Sequence, residues 1–479
     1  MNLRLIPPRA APQRLKLWLL APSRPVRQIL LGVITTLARG RHARAAALLA
    51  RFFLHTVRPP THREDARQVL LLPKAGFVDD ALVALETVAD VEVVALPRTV
   101  IMALARAYLP PEVDDNNYYS ASPAAQAAMA RYRAFLVPFW RAFDPAVRIG
   151  AVLTANFGYY AERELGAALE SINVPFIVIH KENTKGPGGR AFWERVYRER
   201  RGPFLGRLIL VYNPVERDIM VSTGVVSAER IEVIGMPRLD AVHRWRERHA
   251  GQPSGSSVFF ASFLPDINAP TLIRKHDAHG RKYREAPNGQ PVPVMLTELC
   301  RSVHQAVVDL AASCPDIPVI LKTKGRSADR SQVLAQLGVA HERDLPSNLR
   351  IVHGGSPVPL LCNAAVTCAF NTTIILEALA AGCTVVIPWY AEVLDESVAK
   401  YVFDVGPAVE RVHSQRDLVA RLKDLARERR AVPATLDAPT GELLYNWLGN
   451  DDGQAGARAA RVIRRELDAR ALSQVHTRH

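Results

Sequence analysis

The sequence predicts an α/β protein made of two successive, largely parallel sheets with helices on both faces. Three observations carry this. From residue 68 onward, short β-rich runs alternate with helical stretches such as "ERELGAALESI" (162–172). The runs "QVLLLP" (68–73), "VEVVALP" (91–97), "IGAVLTA" (149–155), "PFIVIH" (175–180), "RLILVYN" (207–213) and "IEVIG" (231–235) are apolar throughout rather than alternating. That is the pattern of strands buried on both faces of a parallel sheet. Finally, a break at 251–257, "GQPSGSS", is followed by a restart: "SVFFAS" (257–262), "IPVILKTK" (317–324), "LRIVHG" (349–354), "AAVTCAF" (364–370) and "CTVVIP" (383–388). Two such units joined by a linker are expected to be Rossmann-like domains facing a cleft.

The 479 residues suffice for several cores. The expected divisions are a basic N-terminal extension (1–68), a first Rossmann-like domain (69–250), a second (251–430) and a helical tail (431–479). In the tail, "AGARAARVIRRELDAR" (455–470) reads as a closing helix and the last nine residues as frayed. Charge is uneven: residues 1–68 hold thirteen Lys or Arg against Glu64 and Asp65, a net +11, which leaves +3 of the total +14 for the other 411 residues. A neutral body with a basic head argues against nucleic acid as the partner. The head also carries the apolar clusters "LKLWLL" (15–20) and "QILLGVITTLA" (28–38), the second bounded by Arg27 and Arg39. Eleven residues are too few to cross a bilayer, which takes about 20, and no cleavage site of a secretory leader follows. An Arg-flanked amphipathic helix near Trp18 suits an anionic membrane surface; the alternative is a helix packed on the protein's own core with its arginines in water. Five cysteines without a CxxC pair read as reduced thiols. The expected location is therefore the cytoplasm, and the membrane alternative for the head would make it peripheral on the inner face of the cytoplasmic membrane.

No GxGxxG follows a strand and no GxxxxGK[ST] occurs, which disfavours dehydrogenases and P-loop ATPases. There is also no HExxH and no Asp-x-Asp, so neither a metal nor a cofactor is expected. The stretch "CAFNTTIILEALAAGCTVVIP" (368–388) is apolar except for Glu377. It reads as strand, Asn371-Thr372-Thr373 turn, then a helix closed by Gly382, with Thr372 or Asn371 as cap. A helix starting at the carboxyl edge of a sheet faces the place where α/β proteins hold phosphates. Glu377, one turn after Thr373, can then accept hydrogen bonds from ribose hydroxyls; otherwise it is a solvated glutamate on the outer stripe.

This strand–Asn-Thr-Thr–helix–Glu377–Gly382–strand unit resembles the donor nucleotide site of GT-B glycosyltransferases. It is also similar to that of the non-hydrolysing nucleotide-sugar 2-epimerases and the wall-polymer glycerophosphotransferases. "VIGMPRLDAV" (233–242) resembles the Gly-x-Pro-Arg-x-Asp step that ends their first domain. "SVFFASFLP" (257–265) is similar to the first strand and loop of their second, and "VILKTKG" (319–325) stands where they often have a strand followed by Lys-x-His-Pro. The resemblance spans about 69–470 and implies a GT-B fold. It also implies that Lys322 and Lys324 neutralise the donor's diphosphate, although Lys324 replaces the usual histidine. Ser262 would offer its hydroxyl or nearby amides to the same phosphates. The segment 266–290, with Arg274, Lys275, His276, His279, Arg281 and Lys282, looks like an insertion.

For the first domain, "HKENTKGPGG" places His180 and Glu182 at a strand end. A His-x-Glu step there resembles the epimerases and many surface-polysaccharide transferases. A hydroxyl attacking an anomeric carbon needs a base, and the role stays open between the two. The loops "LPKAGFVDDAL" (72–82) and "TANFGYYAEREL" (154–165) add Asp79, Asp80, Asn156 and Glu162 as acceptor-side candidates. The resemblance implies a metal-independent glycosyltransferase of capsule or lipopolysaccharide assembly, with a nucleotide-sugar donor and a glycan or lipid-linked acceptor. The competitors are a 2-epimerase, a glycerophosphotransferase and a non-catalytic GT-B scaffold. The epimerases' Gly-Thr-Arg-Pro-Glu loop is replaced by "PKAGFVDD", and the glycerophosphotransferases' Trp-His-Gly by "IHKEN".

Overall fold

The structure is a computed structural model. It describes residues 24–60, 66–88, 90–115, 118, 122–181, 190–200, 202–265, 273–276, 282–285, 296–323, 327–399, 402–403 and 405–476. Glu182, Lys324, Trp18, "LKLWLL" and most of 266–290 lie outside these residues.

Two compact units emerge. The first comprises residues 1–240, 446–450 and 454–479, and the second 241–445 and 451–453. The first unit holds a seven-stranded sheet: β1 (His55–Arg58), β2 (Arg67–Leu71), β3 (Val91–Ala95), β4 (Ile149–Thr154), β5 (Phe176–Ile179), β6 (Leu208–Val211) and β7 (Ile231–Val233). Its order is β1-β3-β2-β4-β5-β6-β7. All pairs are parallel except β1–β3. Val69, Leu70 and Leu71 are all fully buried, as continuous apolar runs require. Each such side chain contributes about 1.5–3 kcal/mol on burial.

The second sheet contains β8 (Ser257–Ala261), β11 (Val319–Thr323), β12 (Leu349–His353), β13 (Ala364–Cys368), β14 (Thr384–Pro388) and β15 (Glu410–Val412). It is parallel throughout, in the order β12-β11-β8-β13-β14-β15. Between β8 and β11 a short antiparallel hairpin, β9 (Ile273–His276) and β10 (Lys282–Glu285), falls in the expected insertion.

Every strand expected from an apolar run is present. Besides that hairpin, two paired strands are not predicted by the sequence. β1 reads "HTVR" and alternates in burial, as an antiparallel edge strand does. β15 is only three residues long. The C-terminal helix runs Ala455–His476, so most of the nine residues expected to fray are helical. Its start is anchored within the first unit: Ala455 and Gly456 donate their backbone N–H groups to the Asp240 carboxylate at 3.1 and 2.8 Å. Asp240 also accepts from Asn450 at 2.7 Å. The Gly-x-Pro-Arg-x-Asp step thus ends on a carboxylate that caps the returning chain.

The helix Ile374–Ala380 closes as expected on Gly382, at φ +75°. The amides of Gly382 and Cys383 donate to the carbonyls of Leu379 and Ala378, the paired bonds of a Schellman end. A Cβ at 382 would lie 2.5 Å from Cδ of Pro433. Gly382→Ala is therefore expected to destabilise the second unit by about 1–3 kcal/mol from the left-handed backbone alone, and further through the clash. Urea unfolding checks this; an unchanged midpoint would contradict it.

Candidate functional site

In the second sheet, β8 comes first in the chain. β11 and β12 lie to one side of it and β13 to β15 to the other, so the strand order reverses between β8 and β13. Ligands of open α/β sheets bind outside the carboxyl ends of strands at such a reversal. Ser262 directly follows β8, Lys322 stands near the end of β11 opposite Ala261, and Asn371 to Thr373 follow β13. The topology thus sets Ser262, Lys322 and the 371–373 turn at the carboxyl ends of β8, β11 and β13.

Lys322 is only 6% exposed. Its Nζ donates to the Thr323 carbonyl at 2.7 Å, leaving donor capacity in the ammonium. Burial pulls its pKa below the ordinary lysine value. Among the described residues no carboxylate forms an ion pair with it.

Ser262 is held from behind. Its amide donates to the Lys322 carbonyl at 2.9 Å, and its Oγ lies 2.9 Å from Nε2 of His304. Nδ1 of His304 lies 2.7 Å from the Cys300 carbonyl, an acceptor, which assigns the proton to Nδ1. Nε2 then accepts from Ser262, whose hydroxyl can only accept from a ligand. Burial lowers the His304 pKa, partly offset by the Cys300 bond, and favours the neutral ring. A hydroxyl so committed does not also donate to a phosphate oxygen, one of the two contacts expected at this position. His304 was not foreseen: it sits 42 residues from Ser262, and no local pattern distinguishes it from an ordinary core residue.

Glu377 is 7% exposed, within a stretch buried from Ile375 to Ala380. The solvated alternative is therefore excluded. The cap differs from expectation. Thr373 is the N-cap residue and makes no side-chain cap bond. Asn371 is left-handed at φ +48°, and its Oδ1 instead accepts from the Phe403 amide at 3.1 Å. Thr372 Oγ1 accepts from the Ile374 amide at a long 3.5 Å.

The first sheet reverses order between β2 and β4, and its candidate loops follow those strands. Asp80 is fully buried. It accepts from the Arg238 amide at 3.0 Å, from Arg238 Nη1 at 2.7 Å and from the Tyr212 hydroxyl at 2.6 Å. Burial raises its pKa while Arg238 and Tyr212 pull it down. Glu162 is likewise buried, bonded to Arg98 and Thr154. Its pKa is raised by burial against the Arg98 charge, and the Arg98 guanidinium lies 3.7 Å over the Tyr159 ring. Asn156 is buried and its Oδ1 accepts from the Gly158 amide at 2.8 Å; Asp79 is half-buried. His180 is 2% exposed, with Nε2 3.3 Å from Oε1 of Glu216, which also accepts from Tyr197. Asp80 and Glu162 therefore sit in internal ion pairs.

Among the described residues, no group of three or more His, Cys, Asp or Glu is placed to hold a metal. No helix among them is long and apolar enough to cross a membrane.

No family model matches the chain, and no curated protein matches it. Solved structures with similar folds include a UDP-GlcNAc 2-epimerase from Neisseria meningitidis bound to UDP-GlcNAc. It is 12% identical, the alignment covers 84% of this chain and 99% of that one, and the TM-score is 0.42. A variant of the wall teichoic acid polymerase TagF is 12% identical over 69% of this chain and 76% of that one, TM-score 0.40. A glycotransferase of kitacinnamycin is 16% identical over 85% and 99%, TM-score 0.41.

Proposed function

We propose that the chain is a metal-independent glycosyltransferase that moves a sugar from a nucleotide-activated donor to a growing surface glycan of the capsule or lipopolysaccharide kind. The observation that carries this reading is Lys322: a buried cation, with no carboxylate pairing it among the described residues, at the order reversal of a parallel sheet. Such a group binds an anion well, because charge-assisted bonds strengthen where water is scarce. The donor's diphosphate would lie against Lys322, with Lys324 assigned the same role. Glu377 would accept from ribose hydroxyls. Ser262, oriented by His304, would accept from a further hydroxyl of the donor. Asn371, Thr372 and Thr373 would line the same edge. The acceptor and the base are assigned to the first unit, the base to the step that holds His180 and Glu182. A base there would take the proton of the acceptor hydroxyl as it attacks the anomeric carbon.

The test is incubation with a set of nucleotide sugars, with and without acceptor glycan, followed by mass spectrometry and nuclear magnetic resonance of the products. Nucleoside diphosphate release that requires the acceptor supports transfer. Isomerisation of the donor sugar without acceptor would make the chain a 2-epimerase. Neither product from any donor would leave the scaffold reading in its place.

A further inference from the structure

We propose that the two N-terminal helices, Arg24–Arg39 and Ala43–Arg51, form a face that docks in the interfacial plane of an anionic lipid bilayer. This goes beyond the proposed catalytic reading and does not depend on it. The first helix does two things at once. Ile34 and Ala38 are fully buried, Thr35 donates to the Ala103 carbonyl, and Tyr108 donates to that of Ala38. One side is therefore packed on the first unit. Yet Val26, Ile29 and Val33 are 47, 66 and 42% exposed. Their spacing of three and four residues puts them in one stripe of the helix, beside the packed side. On the second helix Ala43, Ala46, Ala47 and Ala50 are buried, while Leu48 and the following Phe52 are 55 and 71% exposed. These two lie four residues apart and so share a side.

Five of the nine large apolar side chains that stand exposed in the described structure thus fall within residues 26–52. Scattered exposed apolar residues are ordinary, whereas a concentration of them marks an interaction surface.

Charge selects the occupant. Residues 1–63 contain no Asp or Glu, against twelve Lys or Arg. Arg39, Arg41 and Arg44 stand exposed between the two apolar stripes in sequence. Apolar side chains that enter the acyl boundary, flanked by arginines that reach the phosphates, are the elements of interfacial binding. The sequence posed two alternatives for this region, a membrane helix or a helix packed on its own core. The structure shows the core side filled and an apolar stripe left over.

The test is co-sedimentation of the full chain with vesicles of phosphatidylcholine alone and of phosphatidylcholine containing phosphatidylglycerol. It is run on the wild type, on Ile29→Glu combined with Phe52→Glu, and on Arg39→Gln combined with Arg41→Gln and Arg44→Gln. Wild type is expected to bind the anionic vesicles about tenfold or more tightly than the neutral ones, and less as salt rises. Both variants should lose about tenfold on anionic vesicles, with unchanged melting temperature, since they alter exposed positions. Binding unaffected by the substitutions, or equal on both vesicles, would overturn the proposal. Light scattering closes the remaining route: a wild-type dimer that the apolar variant converts to monomer would assign the face to a second copy of the chain.

Discussion

Lys322→Met is expected to weaken binding of the donor nucleotide by about tenfold to a hundredfold while leaving the fold intact. The methionine fills much of the same apolar space and removes the charge together with the bond from Nζ to the Thr323 carbonyl. A hydrogen bond to a charged group is worth about 1.5–3 kcal/mol, and each 1.4 kcal/mol is a factor of ten. Removal of a buried cation that lacks a carboxylate partner among the described residues also relieves its desolvation, so stability should hold or rise slightly. A pH signature accompanies this. Burial lowers the Lys322 pKa, and the charged form is the one that binds an anion. Affinity should therefore hold around neutral pH and fall as pH rises through a value below the ordinary lysine range of about 10.4. Calorimetric titration across pH measures it. In Lys322→Met the alkaline step should be absent; an identical step in the variant would assign the titration to another group.

Asp80→Ala is expected to act on the fold instead, costing about 3–5 kcal/mol of the first unit's stability. The carboxylate is fully buried and holds both Arg238 and Tyr212. Its removal takes a shared acceptor from the buried Tyr212 hydroxyl and the Arg238 guanidinium, although Arg238 Nη1 still donates to the Tyr212 oxygen at 2.9 Å. Arg238 is partly exposed and can recover some hydration, so the lower end of that range is the better expectation. Asp80→Asn, which keeps the shape and one acceptor, should recover part of the loss. Urea unfolding followed by circular dichroism measures both. A loss below about 1 kcal/mol for Asp80→Ala, the usual scale of a substitution that breaks no buried network, would mean that the pair does not hold the fold.

The contrast between these two residues shows what the sequence could and could not convey. The strands were legible because burial on both faces forces continuous apolar runs, and "QVLLLP" or "AAVTCAF" cannot be much else. The reversal point rests on strand order, which the sequence does not contain. Lys322 and Ser262 stand at the carboxyl ends of neighbouring strands, and Glu377 is buried in the helix after β13. The partners of each charged group were not legible, because they are distant in the chain. Asp80 and Glu162 read as candidates for sugar contacts on account of their loops. Arg238 and Arg98, which occupy them, come from 158 and 64 residues away. His304 shows the reverse case: a residue with no local signature whose carbonyl bond to Cys300 sets the hydrogen-bonding sense of Ser262. Edge strand β1 escaped because an alternating four-residue run resembles any loop.

The claim at the centre of this account is that the edge of the second sheet is a nucleotide site. The most direct measurement is calorimetry of the full chain against UDP, GDP, CMP, CDP and TDP, repeated with Glu377→Ala. One nucleotide is expected to bind in the micromolar range, and the variant to bind it about ten- to a hundredfold more weakly, the scale of hydrogen bonds to a carboxylate. No binding of any of the five by a well-folded wild type, or equal binding by Glu377→Ala, would contradict it.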